Sequence, residues 1–240
     1  MYDDVYSVVE STFTLAGGLS LGAEMVSGLL FWLIIVTNVA SERCGTGVYS
    51  DLDADAKLTQ VNDHPGRFRI SIVLLLIEHA CIIAVAATLF VAFGSYNIIL
   101  GVIWAVSRTG EALIQIANKR RFWRLSGVAN EYSRATEFEK GPLSDRARSI
   151  LKSKNLSFTA AQILFSIGTI AYSVVFVTSG VVPLVIGWSG IVAGAIYGVG
   201  NGVRLVRPKA NVVWNVGGLL VLLFELALGG SLFLLPLIVR

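Results

Sequence analysis

Six long apolar runs divide this chain and decide what it can become. They cover roughly residues 13–39, 70–93, 97–117, 156–178, 181–203 and 212–239. Each supplies the about 20 residues that an α-helix needs to cross a hydrocarbon core about 30 Å thick. In lipid, a backbone must satisfy its own hydrogen bonds, and a helix does so within one segment. Composition agrees. Hydrophobic residues make up 55% of the chain and charged residues only 15%, with a mean hydropathy of +0.72. A soluble domain usually carries about 25% charge, so too little is present here to hydrate a soluble surface. The expected fold is all-α: a polytopic integral membrane bundle of six transmembrane helices, forming a single domain over 1–240.

Orientation follows from Lys and Arg, which favour cytoplasmic loops. With both termini outside, Arg43, Lys57, Arg67 and Arg69 fall inside, between spans one and two. Ten more, from Lys119 to Lys154, fall inside between spans three and four. Arg204, Arg207 and Lys209 fall inside between spans five and six. That accounts for all but two of the 19 basic residues, Arg108 within a span and Arg240 at the end. The outer connections, 94–96 and 179–180, carry none. They are so short that spans two and three, and spans four and five, must form antiparallel hairpins. The acidic start, Met1 to Glu10, lacks the basic region of a signal peptide and reads as a retained, exposed segment.

Ionisable residues inside a bilayer are costly, and they usually face the protein interior or a cavity. Glu24, Glu78, Arg108, Glu111 and Glu225 fall within spans, with His79 beside Glu78. Arg108 and Glu111 are three apart on one helix, share a face and can pair; Gln115 continues that stripe. Helical rise places Arg108 and Glu111 about 9 to 14 Å from the inner end of span three, and Glu78 about 12 Å from the same end of span two. The expectation is that Glu78 and Glu111 both approach the Arg108 guanidinium. Glu24, Glu225, and a milder stripe of Gln162, Ser166, Thr169 and Ser173 on span four would complete the cluster. Four carboxylates against one arginine leave a large negative excess. Some must then be protonated, or water or a cation must enter. These groups also admit a purely structural role, as ion pairs that pin helices.

Span five carries Gly190, Gly194, Gly198 and Gly202, three overlapping GxxxG steps that let another helix approach closely. The face serves helix packing within the chain or contact with another membrane subunit. The inner segment 118–155 mixes basic and apolar residues and is interrupted by Gly141 and Pro142. It reads as amphipathic helical pieces lying near anionic headgroups of the inner leaflet. Membrane lipids are the expected partners, and nothing resembles a nucleic-acid-binding module.

No metal, cofactor or catalytic residue is indicated. A bis-histidine haem would need a second in-span histidine besides His79, and His64 sits in a polar loop. The cysteines, Cys44 and Cys81, have no metal-binding spacing. There is no HExxH and no phosphate loop, and no lysine within a span to carry a Schiff base.

Four stretches carry a resemblance. They are LLLIEHA with Glu78, AVSRTGEALI with Arg108 and Glu111, VVPLVIGWSGIVAG with Pro183, Trp188 and Gly190, and LLFELALG with Glu225. From about Phe13 onward the chain resembles a prokaryotic family of six-span membrane proteins, the domain of unknown function number four-three-eight-six. The resemblance implies the architecture and the importance of the polar cluster, and no reaction. The leading expectation is a non-enzymatic accessory subunit, or a small-ligand or ion-binding bundle, in a prokaryotic inner (cytoplasmic) membrane. One alternative is a proton-coupled carrier or channel using the same carboxylates. The other is a membrane enzyme acting on a lipid or isoprenoid substrate.

Overall fold

The computed structural model describes residues 2–45, 53–207 and 210–239; Lys209 and Arg240, used above for orientation, lie outside them. Eight helices follow one another, with no strand among the described residues: α1 (Tyr2–Arg43), α2 (Ala54–Asp63), α3 (Pro65–Phe93), α4 (Ile98–Trp123), α5 (Leu125–Arg134), α6 (Glu137–Ser179), α7 (Leu184–Val206) and α8 (Val212–Val239). Six stretches are long and apolar enough to cross a membrane, within α1, α3, α4, α6, α7 and α8. They match the six runs read from sequence.

The ends of these helices are set by local chemistry. Asn97 caps α4 by accepting from the Leu100 amide at 3.1 Å, as short polar side chains do at helix starts. Pro65 opens α3, where its missing N–H costs nothing. Gly180 ends α6 with φ +69°, a left-handed conformation that glycine adopts without strain. The Glu139 carboxylate reaches back to accept from the Thr136 amide at 2.9 Å and starts α6.

The six long helices touch in chain order, and α8 closes onto α1, making a ring. The short connections Gly94–Asn97 and Gly180–Pro183 produce the two expected hairpins. An aromatic column fills the ring. Tyr172 of α6 stacks on Phe224 of α8 at 6.0 Å and meets Trp104 of α4 edge-on at 6.5 Å. Outside the ring the exposed residues are large and apolar, among them Val106, Ile99, Val185, Val199 and Leu219. Buried among the helices are Arg108 and Glu111, each 2% exposed. Apolar perimeter and charged interior together match a hydrocarbon surround, where a lipid-facing charge is expensive.

The glycine stripe of α7 lies inward. A methyl group added at Gly190 would sit 2.6 Å from the Phe224 ring, one at Gly194 would sit 2.9 Å from Ile170, and one at Gly198 would sit 3.1 Å from Ser166 Cβ. Only the Gly202 position is open. The stripe therefore seats α6 and, at Gly190, α8. Glycines also set the α1–α8 crossing, where a methyl group at Gly28 would lie 2.7 Å from the Gly229 carbonyl oxygen.

The segment between spans three and four departs from expectation. Gly141 and Pro142 do not divide it, because α6 runs through both. Pro142 lies in the second turn, where it has no N–H to donate to the Phe138 carbonyl, and the helix continues through it nonetheless. The chain bends instead at Arg124 and at Ala135–Thr136. Nor are the apolar faces left for a leaflet. Leu125, Val128 and Ala129 of α5 and Ala147 and Leu151 of α6 close onto Leu58 and Val61 of α2. Phe68 and Ile72 of α3 and Phe122 of α4 join them, forming a second core that caps one end of the ring.

Candidate functional site

Between the aromatic column and this cap lies a cavity of about 320 Å³. All six long helices contribute to its wall. Its polar floor is built around Arg108. The guanidinium donates to Glu111 Oε2 at 2.9 Å, within one helical turn. Its other terminal nitrogen is 3.9 Å from Glu225 Oε1 on α8, and its carbon lies 4.5 Å from the centre of the Phe165 ring. Gly168, one turn along α6 from Phe165, makes room for the arginine stem: a methyl group there would stand 3.0 Å from Arg108 Cγ.

Glu78 lines the same cavity but does not approach Arg108 as expected, since no ion pair joins them. Its Oε1 accepts from Asn38 Nδ2 of α1 at 3.1 Å, and Lys119 of α4 acts on it electrostatically. His79 is buried and bonded through Nδ1 to the Leu75 carbonyl, a local contact within α3. Gln115 accepts a long hydrogen bond from Lys119 at 3.4 Å, and Gln162 also lines the cavity.

Four predicted members fall elsewhere. Glu24 sits beside Val181, Pro183 and Pro236, in a separate pocket at the opposite end of the ring. It is fourteen positions from Asn38, about 21 Å along α1. The stripe Ser166, Thr169 and Ser173 faces the α7 glycines instead of the charges.

Four polar residues of the wall are absent from the cluster that the sequence predicts: Asn38, Glu42, Lys119 and Lys154. The sequence puts Lys119 and Lys154 in a polar segment outside the spans, yet they are 4% and 2% exposed. Both α4 and α6 continue past the expected span ends, and the cap covers them. Lys154 lies over the Phe122 ring at 5.1 Å, and Asn118 donates to the Lys154 carbonyl at 3.1 Å. A signal for Lys119 was present: Arg108, Glu111, Gln115 and Lys119 continue a single stripe at spacings of three and four. The excess of negative charge expected from sequence therefore shrinks. The wall carries Glu42, Glu78, Glu111 and Glu225 against Arg108, Lys119 and Lys154.

The cavity opens sideways. Helices α1 and α8 meet at Gly28 and Gly229, and through Trp32, whose Nε1 is 3.5 Å from the Leu226 carbonyl oxygen. Further toward the cap, Ile35 and Val39 of α1 and Gly218 and Leu222 of α8 line the cavity, and Val39 and Leu222 are exposed. An apolar mouth thus leads from the bundle perimeter to a charged floor.

A ring of six apolar helices with ionisable groups turned inward is the mark of a multi-pass membrane protein. Within that class, the chain belongs to the family described as Domain of unknown function (DUF4386), whose model matches residues 26–235. No curated protein and no solved structure matches the chain.

Proposed function

We propose that this protein is a non-enzymatic, ligand-binding bundle of a prokaryotic cytoplasmic membrane, with the capped end inside. The ligand is a small amphiphile that enters between α1 and α8. The supporting observation is the cavity itself: an apolar mouth at the lipid-facing perimeter and a floor of buried charges. Its volume is at the lower end of the about 300–1,000 Å³ typical of small-molecule sites, which are largely apolar with a few placed polar groups. Inward orientation of the cap rests on the Arg and Lys residues gathered at that end, including Arg120, Arg121, Arg124, Arg134, Arg146 and Arg148.

The test is thermal unfolding of the purified protein in neutral micelles with anionic, neutral and cationic amphiphiles. A ligand at 100 times its Kd stabilises the folded state by about 2.7 kcal/mol. The expected result is a saturable rise in unfolding temperature with one charge class, lost in Leu222→Trp, which fills the mouth from an exposed position. No saturable rise with any class, or one unaffected by Leu222→Trp, overturns the reading.

A further inference from the structure

The charges around the cavity do not cancel, and the imbalance has a location. Arg108 serves two carboxylates, Glu111 at 2.9 Å and Glu225 at 3.9 Å. Lys119 answers Glu78, and Lys154 answers Glu42. With every group ionised, four carboxylates face three cations, and one negative charge is left over. Glu78 of α3 and Glu225 of α8, whose helices flank α1 in the ring, repel one another. Each also keeps one buried side-chain oxygen that accepts no hydrogen bond, Oε2 of Glu78 and Oε1 of Glu225. The guanidinium nitrogen 3.9 Å from Glu225 is too distant for a hydrogen bond. An unsatisfied buried acceptor is costly, the more so when charged.

Two rings, Phe165 and Tyr197, also line the cavity. Ring faces attract cations; the Arg108 guanidinium already lies over Phe165, which leaves Tyr197 for a second cation. Among the described residues, no group of three or more His, Cys, Asp and Glu is placed to hold a metal ion. An organic cation suits this wall better than a coordinated metal.

We propose that the cavity holds a lipophilic monocation, with its ammonium between Glu78 and Glu225 and its apolar part reaching out between α1 and α8. This rests on the ligand-binding reading above and names the ligand's class. The ammonium supplies the missing charge and the missing donor or contact at both carboxylates. The mouth at Ile35, Val39 and Leu222 accommodates the hydrocarbon.

Benzylammonium, whose N–H groups can donate to the unsatisfied oxygens of Glu78 and Glu225, is the probe, with benzylsulfonate and benzyl alcohol as anionic and neutral matches. Binding is measured by equilibrium dialysis on the full chain in neutral maltoside micelles. The expected result is one saturable site for the cation, at least tenfold tighter than for either match. Glu78→Gln and Glu225→Gln each weaken it at least tenfold, and Glu24→Gln, in the distant pocket, leaves it unchanged. Should the glutamate variants fail to fold, Val39→Trp at the exposed mouth must weaken binding by the same factor. Equal binding of all three probes, or cation binding indifferent to Glu78, Glu225 and Val39, overturns the cation assignment and leaves a binding cavity of another specificity. Absence of saturable binding by any of the three overturns both. Phosphatidylethanolamine that displaces the probe supports the assignment and identifies a lipid headgroup as the ammonium. Lack of displacement alongside tight cation binding supports it with a free amine.

Discussion

At the scale of single residues, Arg108 is the centre of the molecule. It bonds Glu111, approaches Glu225, lies over Phe165 and passes through the gap left by Gly168. Removing it strands two carboxylates where water is scarce. Breaking a buried pair from one side costs about 3–5 kcal/mol. Arg108→Ala should therefore lower the thermal unfolding midpoint in micelles more than Glu111→Gln or Glu225→Gln, each of which removes a charge and keeps the shape. A smaller drop for the arginine variant would contradict this account. The distinction between Glu78 and Glu111 is also made at this scale. Both are on neighbouring helices at similar depth, yet one pairs with arginine and the other with Asn38.

At the scale of elements, two contacts carry the architecture. One is the glycine face of α7. Gly190→Ala would drive a methyl group into Phe224, and overpacking costs about 1–3 kcal/mol. Gly202→Ala meets open space and gains helix propensity of up to about 1 kcal/mol. Unfolding of the two variants in parallel should show opposite signs; equal destabilisation would mean the stripe is not the α6–α7 seam. The other contact is the cap. Phe122 is fully buried, 5.2 Å from the Phe68 ring and beneath Lys154. Phe122→Ala should cost about 3–5 kcal/mol, whereas Trp123→Ala, on the exposed side, should stay within about 0.5 kcal/mol. Comparable losses at both positions would place the cap's core elsewhere.

At the scale of the whole molecule, one end bears the cap and most of the basic residues, and the other bears the short turns Gly94–Asn97 and Gly180–Pro183. If the capped end is cytoplasmic, a single cysteine at Phe138 should react with a membrane-impermeant maleimide only after permeabilisation. One at Tyr96 should react in intact cells. The background carries Cys44→Ser, since Cys44 is partly exposed, while Cys81 is buried. Reversed labelling would turn the bundle over. Closure of α8 onto α1 also belongs to this scale, because it makes a ring whose last seam, between helices far apart in sequence, is where the cavity opens.

The amino-acid sequence by itself determined the six crossings, the two tight hairpins and the Arg108–Glu111 pair. Each depends on local quantities: the length of an apolar run, the length of a connection, a spacing of three on one helix. Where each polar residue ends up was decided by tertiary structure. Glu24 and Glu225 both look like mid-span glutamates, and only the packing of α1 sends Glu24 to the opposite end. Lys119 and Lys154 look like loop charges until α2 and α5 fold over them. Helix α2 itself, and the turning of α5 toward it, depend on apolar faces from distant segments finding one another. A hydropathy profile records how apolar a residue's neighbours in sequence are; the cavity and its charge balance depend on neighbours in space.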